Sequence, residues 1–308
     1  MVYFLRRQLA GAQAHGEPCP HLLFTGPSGI GKTTLARALA AEAGTTCLEL
    51  HGKATPRQLC EALITLAKGD FLFVDEAHNL PRDAQEALYS VIDGGTMRDC
   101  LDDPAKGRRD ASGKLLIEPI TVILATNQPS KLLEALYKRM EHTVSLSDYS
   151  RAELVEIVAA VASKQELSLS PHAMGRIAVV SQGQPRRLVQ VLRGLRRHYH
   201  ADMKSRQLSI DDVRKFLADA GIDALGLDTQ QQLYLRKLGK LGAASLATLA
   251  NLLGSDADDV ADHVEPGLIK LGYVRICQAG RELTQAGCKW VRQYRAQRKA
   301  RRRKRSST

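Results

Sequence analysis

Gly26-Pro27-Ser28-Gly29-Ile30-Gly31-Lys32-Thr33 decides how the rest of the chain is read. The spacing is G-x-x-x-x-G-K-[ST], in which glycines let backbone N–H groups turn inward around phosphate oxygens. A helix opening near Lys32 aims its N-terminal dipole at the same anion. Lys32 is placed to reach β- and γ-phosphates, and the Thr33 hydroxyl to meet magnesium. The context agrees: an apolar strand, His21 to Thr25, precedes the loop, and a helical pattern, Thr33 to Ala43, follows it. Gly26, Pro27, Ser28, Gly29, Ile30, Gly31, Lys32, Thr33 and Thr34 are therefore candidate nucleotide contacts.

Downstream, Phe71-Leu72-Phe73-Val74-Asp75-Glu76 is an apolar strand ending in two carboxylates. At this distance from the phosphate loop, Asp75 belongs in the magnesium shell beside Thr33. Glu76 then lies where it can polarise a water molecule. Strands also read at Thr46 to Leu50, Ile120 to Ala125 and Thr143 to Leu146, with helices at Thr55 to Ala67, Pro81 to Ile92 and Lys131 to Tyr137. Strands alternating with helices predict a parallel sheet covered on both faces. One polar, Gly-, Asp- and Arg-rich insertion, Gly94 to Lys114, breaks the rhythm and predicts a hairpin or mobile loop.

After Asp148 the pattern is helical only. Ser150, Ser170-Pro171, Gly183-Gln184-Pro185 and Ser209 punctuate four helices. From about Leu227 a third pattern begins, with helices at Thr229 to Leu241 and Ala243 to Leu253. Another helix, capped by Ser255, runs from Asp256 to Leu271 with a break at Pro266. Two short strands meet at Gln278-Ala279-Gly280. This is the order of a winged helix. The predicted fold is thus α/β: a phosphate-loop core over residues 1–148, a helical lid over 149–222, a winged helix over 223–288 and a basic tail over 289–308.

The composition narrows the class. The chain has 308 residues and is 44% hydrophobic, enough for more than one core. No apolar run reaches the roughly 18 residues a membrane span needs. The start has Arg6 and Arg7 but neither the apolar stretch nor the cleavage site of a secretory signal. Six scattered cysteines without a C-x-x-C pair predict reduced cytoplasmic thiols, and His15, Cys19 and His21 lack metal-site spacing. The net charge is +11, and Lys289 to Arg305 supplies ten basic residues and no acidic one. Such a tail is expected to be partly disordered and to meet phosphates. Arg275 and Arg281 on the wing are candidate DNA contacts of the same kind.

The phosphate loop, Asp75-Glu76-Ala77-His78 and Ala125-Thr126-Asn127 together resemble an AAA+ ATPase. That resemblance implies ATP and Mg2+ as cofactors and makes Asn127 the sensor that orients the attacking water. Leu136-Tyr137-Lys138-Arg139-Met140 resembles the segment carrying an arginine finger, so Arg139 would complete a neighbour's site. Gly183-Gln184-Pro185-Arg186 resembles the second sensor, which implies Arg186, with Arg187 as its competitor. The order of core, lid and winged helix, with Val264-Glu265-Pro266, Gly272-Tyr273 and Gly280-Arg281, is similar to the RuvB family of branch-migration motors.

The resemblance implies a ring, hexameric in expectation, that hydrolyses ATP and translocates DNA in recombination and repair. Two departures stand out. The family has a longer stretch before the phosphate loop, which helps hold adenine. Its partner-docking hairpin is apolar at the tip, whereas Gly94 to Ile117 is charged here, so docking on a RuvA-like partner is not expected. The alternative reading is an AAA+ switch that loads or recruits another protein on DNA.

Overall fold

The structure, a computed structural model, describes residues 2–200 and 206–305, and side chains over residues 3–200 and 206–296. The chain divides into two compact units: Met1–Tyr149 with Gln184–Arg186, and Ser150–Gly183 with Arg187–Thr308.

The first unit runs α1 (Val2–His15), β1 (Leu22–Thr25), α2 (Lys32–Ala43), β2 (Cys47–His51), α3 (Pro56–Leu63), β3 (Phe71–Asp75) and α4 (Arg82–Gly94). It continues through β4 (Thr96–Met97), β5 (Arg108–Arg109), β6 (Leu115–Leu116), β7 (Thr121–Thr126), α5 (Glu134–Tyr137) and β8 (His142–Ser145). Strands β2-β3-β7-β1-β8 pair in that order, every pair parallel. Alternate residues of the central strands fill two different cores. Leu23, Leu72, Val74, Val122 and Leu124 pack with Leu59, Leu63 and Leu88 of α3 and α4. Leu22, Phe24, Phe71, Phe73 and Ile123 pack with Leu5, Leu9, Ala36 and Leu39 of α1 and α2. Burial on both faces is why these strands read as unbroken apolar runs. Each large side chain so buried contributes about 1.5–3 kcal/mol, so the sheet is a rigid base for what lies at its end.

Two stretches gain definition here. Residues before β1 form a 14-residue helix that buries Leu5 and Leu9. Of its described side chains only Leu5 and Leu9 are buried, and the apolar residues around them follow no clean helical stripe. The polar insertion is an ordered three-stranded antiparallel sheet, β4-β6-β5. Arg109 organises it by pairing with Asp99 at 2.6 Å and donating to the Pro104, Lys106 and Gly107 carbonyls.

The second unit begins with α6 (Arg151–Lys164), α7 (Pro171–Val180), α8 (Pro185–His198) and α9 (Ile210–Asp219). Ser150 and Ser209 form capping boxes with Glu153 and Asp212, as their positions predict. α10 (Thr229–Leu241), β9 (Ala243–Ala244), α11 (Leu246–Leu253), α12 (Ala257–Asp259), α13 (Glu265–Lys270), β10 (Val274–Cys277) and β11 (Gly280–Leu283) make the winged helix. α12 begins after Asp256, not Ser255. Between α12 and α13 the chain widens to a π-helical turn, Val260–Val264, because Pro266 offers no N–H and crowds the carbonyl four residues back.

The last helix, α14 (Gln285–Arg305), buries Trp290 and Val291 in the winged-helix core and continues through the basic run. The backbone is helical as far as Arg305, and residues 306–308 lie outside the described residues. The lid and the winged helix interlock. Arg187 donates to Gln182 Oε1 at 2.7 Å and to the Gly226 carbonyl, and Trp290 Nε1 donates to Asp223 Oδ2 at 2.8 Å. Among the described residues no helix is long and apolar enough to cross a membrane.

Candidate nucleotide-binding site

The loop between β1 and α2 owes its shape to residues that can take positive φ. Gly26, Gly29 and Gly31 have φ of 140°, 78° and 107°. A Cβ on Gly26 would run into the Leu146 carbonyl oxygen, and one on Gly29 would lie 2.9 Å from Arg186 Cβ. Side chains are excluded by both conformation and space, which turns the backbone inward as a phosphate cradle requires. Ile30 is buried and anchors the loop, Pro27, Ser28 and Thr34 are exposed, and Thr33 is half-buried in the first turn of α2.

Lys32 is 5% exposed, and its Nζ donates to the Gly26 and Pro27 carbonyls, each at 2.9 Å. Burial pushes its pKa below the usual lysine value. Glu76 and Asp75 pull it back up, and Arg186 pushes it down. A buried ammonium held by two loop carbonyls is a group waiting for a stronger anionic partner.

Asp75 closes β3, and its Oδ1 accepts the Glu76 N–H at 3.0 Å. Glu76 has φ 53° and ψ 43°, a left-handed conformation that costs a non-glycine residue about 1–3 kcal/mol and persists where surroundings impose it. The surroundings are identifiable. Gly52, just past β2, donates its N–H to the Asp75 carbonyl at 2.7 Å, and a Cβ on Gly52 would collide with the Glu76 carbonyl oxygen. Beyond Glu76, His78 Nε2 lies 3.5 Å from Glu76 Oε2, and His78 Nδ1 lies 2.9 Å from Thr126 Oγ1. Thr126 Oγ1 also accepts the Gln128 N–H at 2.9 Å, so its own O–H is free to donate to Nδ1. When Thr126 is the donor to Nδ1, the proton of the His78 ring sits on Nε2 and faces Glu76.

Gly52, His78 and Thr126 were not among the residues expected to act. The glycine after the second strand and the histidine two residues after Glu76 were the visible traces, but only spatial contact gives them a role. Asn127, the expected sensor, follows Thr126 at the end of β7 and is exposed.

The expected arginines separate into distinct roles. Arg186 lies with the first unit: its N–H donates to the Gly29 carbonyl at 3.3 Å and its Nη1 to Ser28 Oγ at 3.1 Å. Arg187 is committed to Gln182 and Gly226, which leaves Arg186 as the arginine at the phosphate loop. Arg139 follows α5 and holds Asp93 of α4 through Nε at 2.6 Å and through Nη2. Its guanidinium sits 4.8 Å from the centre of the Tyr89 ring. The pair keeps Asp93 below the ordinary carboxylate range and raises Arg139.

On the wing the two candidates differ. Arg275 is exposed and pairs with Glu282 across the strands at 3.1 Å. Arg281 is corrected: it is 19% exposed and spans both oxygens of Glu265, itself 3% exposed, which also accepts the Tyr234 hydroxyl at 2.6 Å. Its charge is paired with Glu265 inside the winged helix. His21, from the His15–Cys19–His21 cluster, accepts the Val122 N–H at 3.0 Å, and burial lifts the Cys19 thiol to about 11.

Comparison with known proteins bears on the same elements. A family model described as the Holliday junction DNA helicase RuvB P-loop domain matches residues 3–146, and the RuvB C-terminal winged helix domain matches residues 224–292. The Holliday junction branch migration complex subunit RuvB of Rhodopirellula baltica is 33% identical, over 91% of this chain and 77% of its own. The corresponding subunit of Thermotoga petrophila is 31% identical, over 92% and 85%. Among solved structures, the Thermotoga maritima RuvB Holliday junction branch migration motor superposes with a TM-score of 0.77 at 29% identity, covering 94% of this chain and 93% of that one.

Proposed function

The chain belongs to the RuvB family, and on that premise we propose that it is an ATP-dependent DNA motor. In this reading, hydrolysis in a ring of subunits drives duplex DNA or a Holliday junction. The observation that carries it is the Lys32 cradle, with the Asp75 and Glu76 charges acting on that ammonium and Arg186 bonded to the same loop.

The roles follow from the positions. Inward N–H groups of Gly26 to Thr33 and the Lys32 ammonium hold the β- and γ-phosphates, exchanging the Gly26 and Pro27 carbonyls for phosphate oxygens. Thr33 and Asp75 are hard oxygen donors beside that cradle and fit magnesium. The ion would neutralise charge on the phosphates when bound. Glu76 accepts a proton from the attacking water, with Asn127 orienting that water. His78 is a positioning residue, holding Glu76 from the strand that carries Thr126. Arg186 meets the γ-phosphate of its own subunit. Arg139 serves a neighbour, for which it exchanges Asp93 for phosphate. Arg275 contributes a DNA phosphate contact.

All six cysteines are free thiols, which suits action in the reducing cytoplasm. The insertion carries charge at Arg98, Asp99, Asp102, Asp103, Lys106, Arg108, Arg109 and Asp110, which does not suit the apolar docking of a RuvA-like partner.

Electron microscopy of the full chain with ATP on duplex DNA tests the assembly this requires. A closed ring around duplex is the expected result. An open filament coating the DNA would overturn the motor reading in favour of a loader or recruiter.

A further inference from the structure

A cavity of about 420 Å³ opens within the second unit, walled by α7, α9, the turn at residues 221–225 and the root of α14. Two arginines face it, Arg176 from α7 and Arg214 from α9. The Arg176 Nε is buried and has no hydrogen-bond partner among the described residues. Burial and the charge of Arg214 both lower Arg176, and Asp223 offsets them only in part.

Asp223 makes no hydrogen bond to the Arg176 Nε, and its carboxylate is engaged elsewhere. Oδ1 accepts the Leu225 and Leu227 N–H groups and Oδ2 accepts Trp290 Nε1, each at 2.8 Å. Among the described residues Arg214 pairs with Asp211 on its own helix, at 3.0 Å in an exposed pair, a contact of little strength. Two guanidinium groups that repel each other beside a cavity, one with an unmet buried N–H, describe a site for an anion. The planar guanidinium fork matches phosphate oxygens.

The cavity also indicates which anion. Its wall includes Gln293 and Tyr294 of α14, with Tyr294 stacked on Trp290 at 5.2 Å. The same helix carries the ten basic residues between Lys289 and Arg305, with no carboxylate among them. A polyanion drawn along that helix gains at every phosphate, whereas a free phosphate ion gains only at the cavity.

We propose that Arg176 and Arg214 form a backbone-phosphate site for duplex DNA, continuous with the basic helix α14 and separate from the wing. The site rests on the DNA-motor reading for its partner. It positions DNA without reading sequence.

Salt-dependent binding of the full chain to a labelled duplex tests it, with Arg176→Gln, Arg214→Gln, the double variant and Arg176→Lys compared with wild type. The log–log slope should shallow by about 0.9 for each lost contact and about 1.8 in the double variant. Arg176→Lys should keep most of the wild-type slope, and DNA-independent ATP hydrolysis should be unchanged throughout. Should Arg176→Gln fail to fold, the exposed Arg214→Gln still reads a loss of about 0.9. A folded double variant with the wild-type slope overturns the site. So does a double variant with that slope that loses only a thermal stabilisation by millimolar inorganic phosphate seen in wild type, since the pocket then takes a free ion. A shallower slope in variants of a protein that moves no junction would leave the site standing and remove the motor reading instead.

Discussion

Glu76 is held in place from three directions: its own left-handed backbone, Gly52 against its carbonyl, and His78 beside its carboxylate. Glu76→Gln keeps the shape and removes the base, so turnover should fall roughly 10²–10⁴-fold with nucleotide affinity retained, read by single-turnover hydrolysis and equilibrium binding. Gly52→Ala leaves every polar group intact but pushes on the Glu76 backbone. A displacement of that kind costs about 10²-fold in turnover, and steady-state kinetics would show it as lowered kcat. Unchanged kinetics in Gly52→Ala would mean that the backbone contact is incidental. These two residues also mark how far sequence reaches at this scale. The phosphate loop and Asp75-Glu76 were legible because their chemistry demands contiguous residues at fixed spacing. Gly52 and His78–Thr126 were not, since their roles come from β2, β3 and β7 lying side by side, and no local pattern records that adjacency.

Within the winged helix, two arginines only six residues apart do opposite things. Arg281 bridges buried Glu265 under the Tyr234 hydroxyl, so Arg281→Ala leaves a buried carboxylate without its partner. The expected loss is about 3–5 kcal/mol, seen as an early thermal transition. Arg275 lies in a surface pair whose removal changes stability by about 1 kcal/mol or less. Arg275→Ala should instead shallow the salt dependence of DNA binding by about 0.9 without moving the melting temperature. The reverse pattern, a DNA defect in Arg281→Ala and a stability defect in Arg275→Ala, would contradict this assignment. Sequence placed both on the wing but could not rank them, because alternation along a two-stranded ribbon does not say which face meets α13. The core strands and capped helices were legible to within a few residues, as strong periodicity and Ser or Thr caps allow. The first helix was not, since only Leu5 and Leu9 of its described side chains are buried, and in the insertion the hairpin was legible while the third strand, held by Arg109 donating to loop carbonyls, was not.

At the scale of the assembled molecule, Arg139 divides the work between subunits. If it acts in a neighbour's site, Glu76→Gln and Arg139→Ala chains are each inactive alone but complement when mixed. With equal parts and random assembly, about one quarter of the sites pair an intact Glu76 with an intact Arg139, so ATPase activity should return to roughly that share. No recovery on mixing would place Arg139 in its own subunit's site or remove it from hydrolysis. The motor claim itself is tested most directly by following a synthetic four-way junction with the full chain. Wild type should convert it to duplex products only with hydrolysable ATP, and Glu76→Gln should bind the junction and leave it intact. DNA-stimulated ATP turnover by wild type with no movement of the junction would contradict the account.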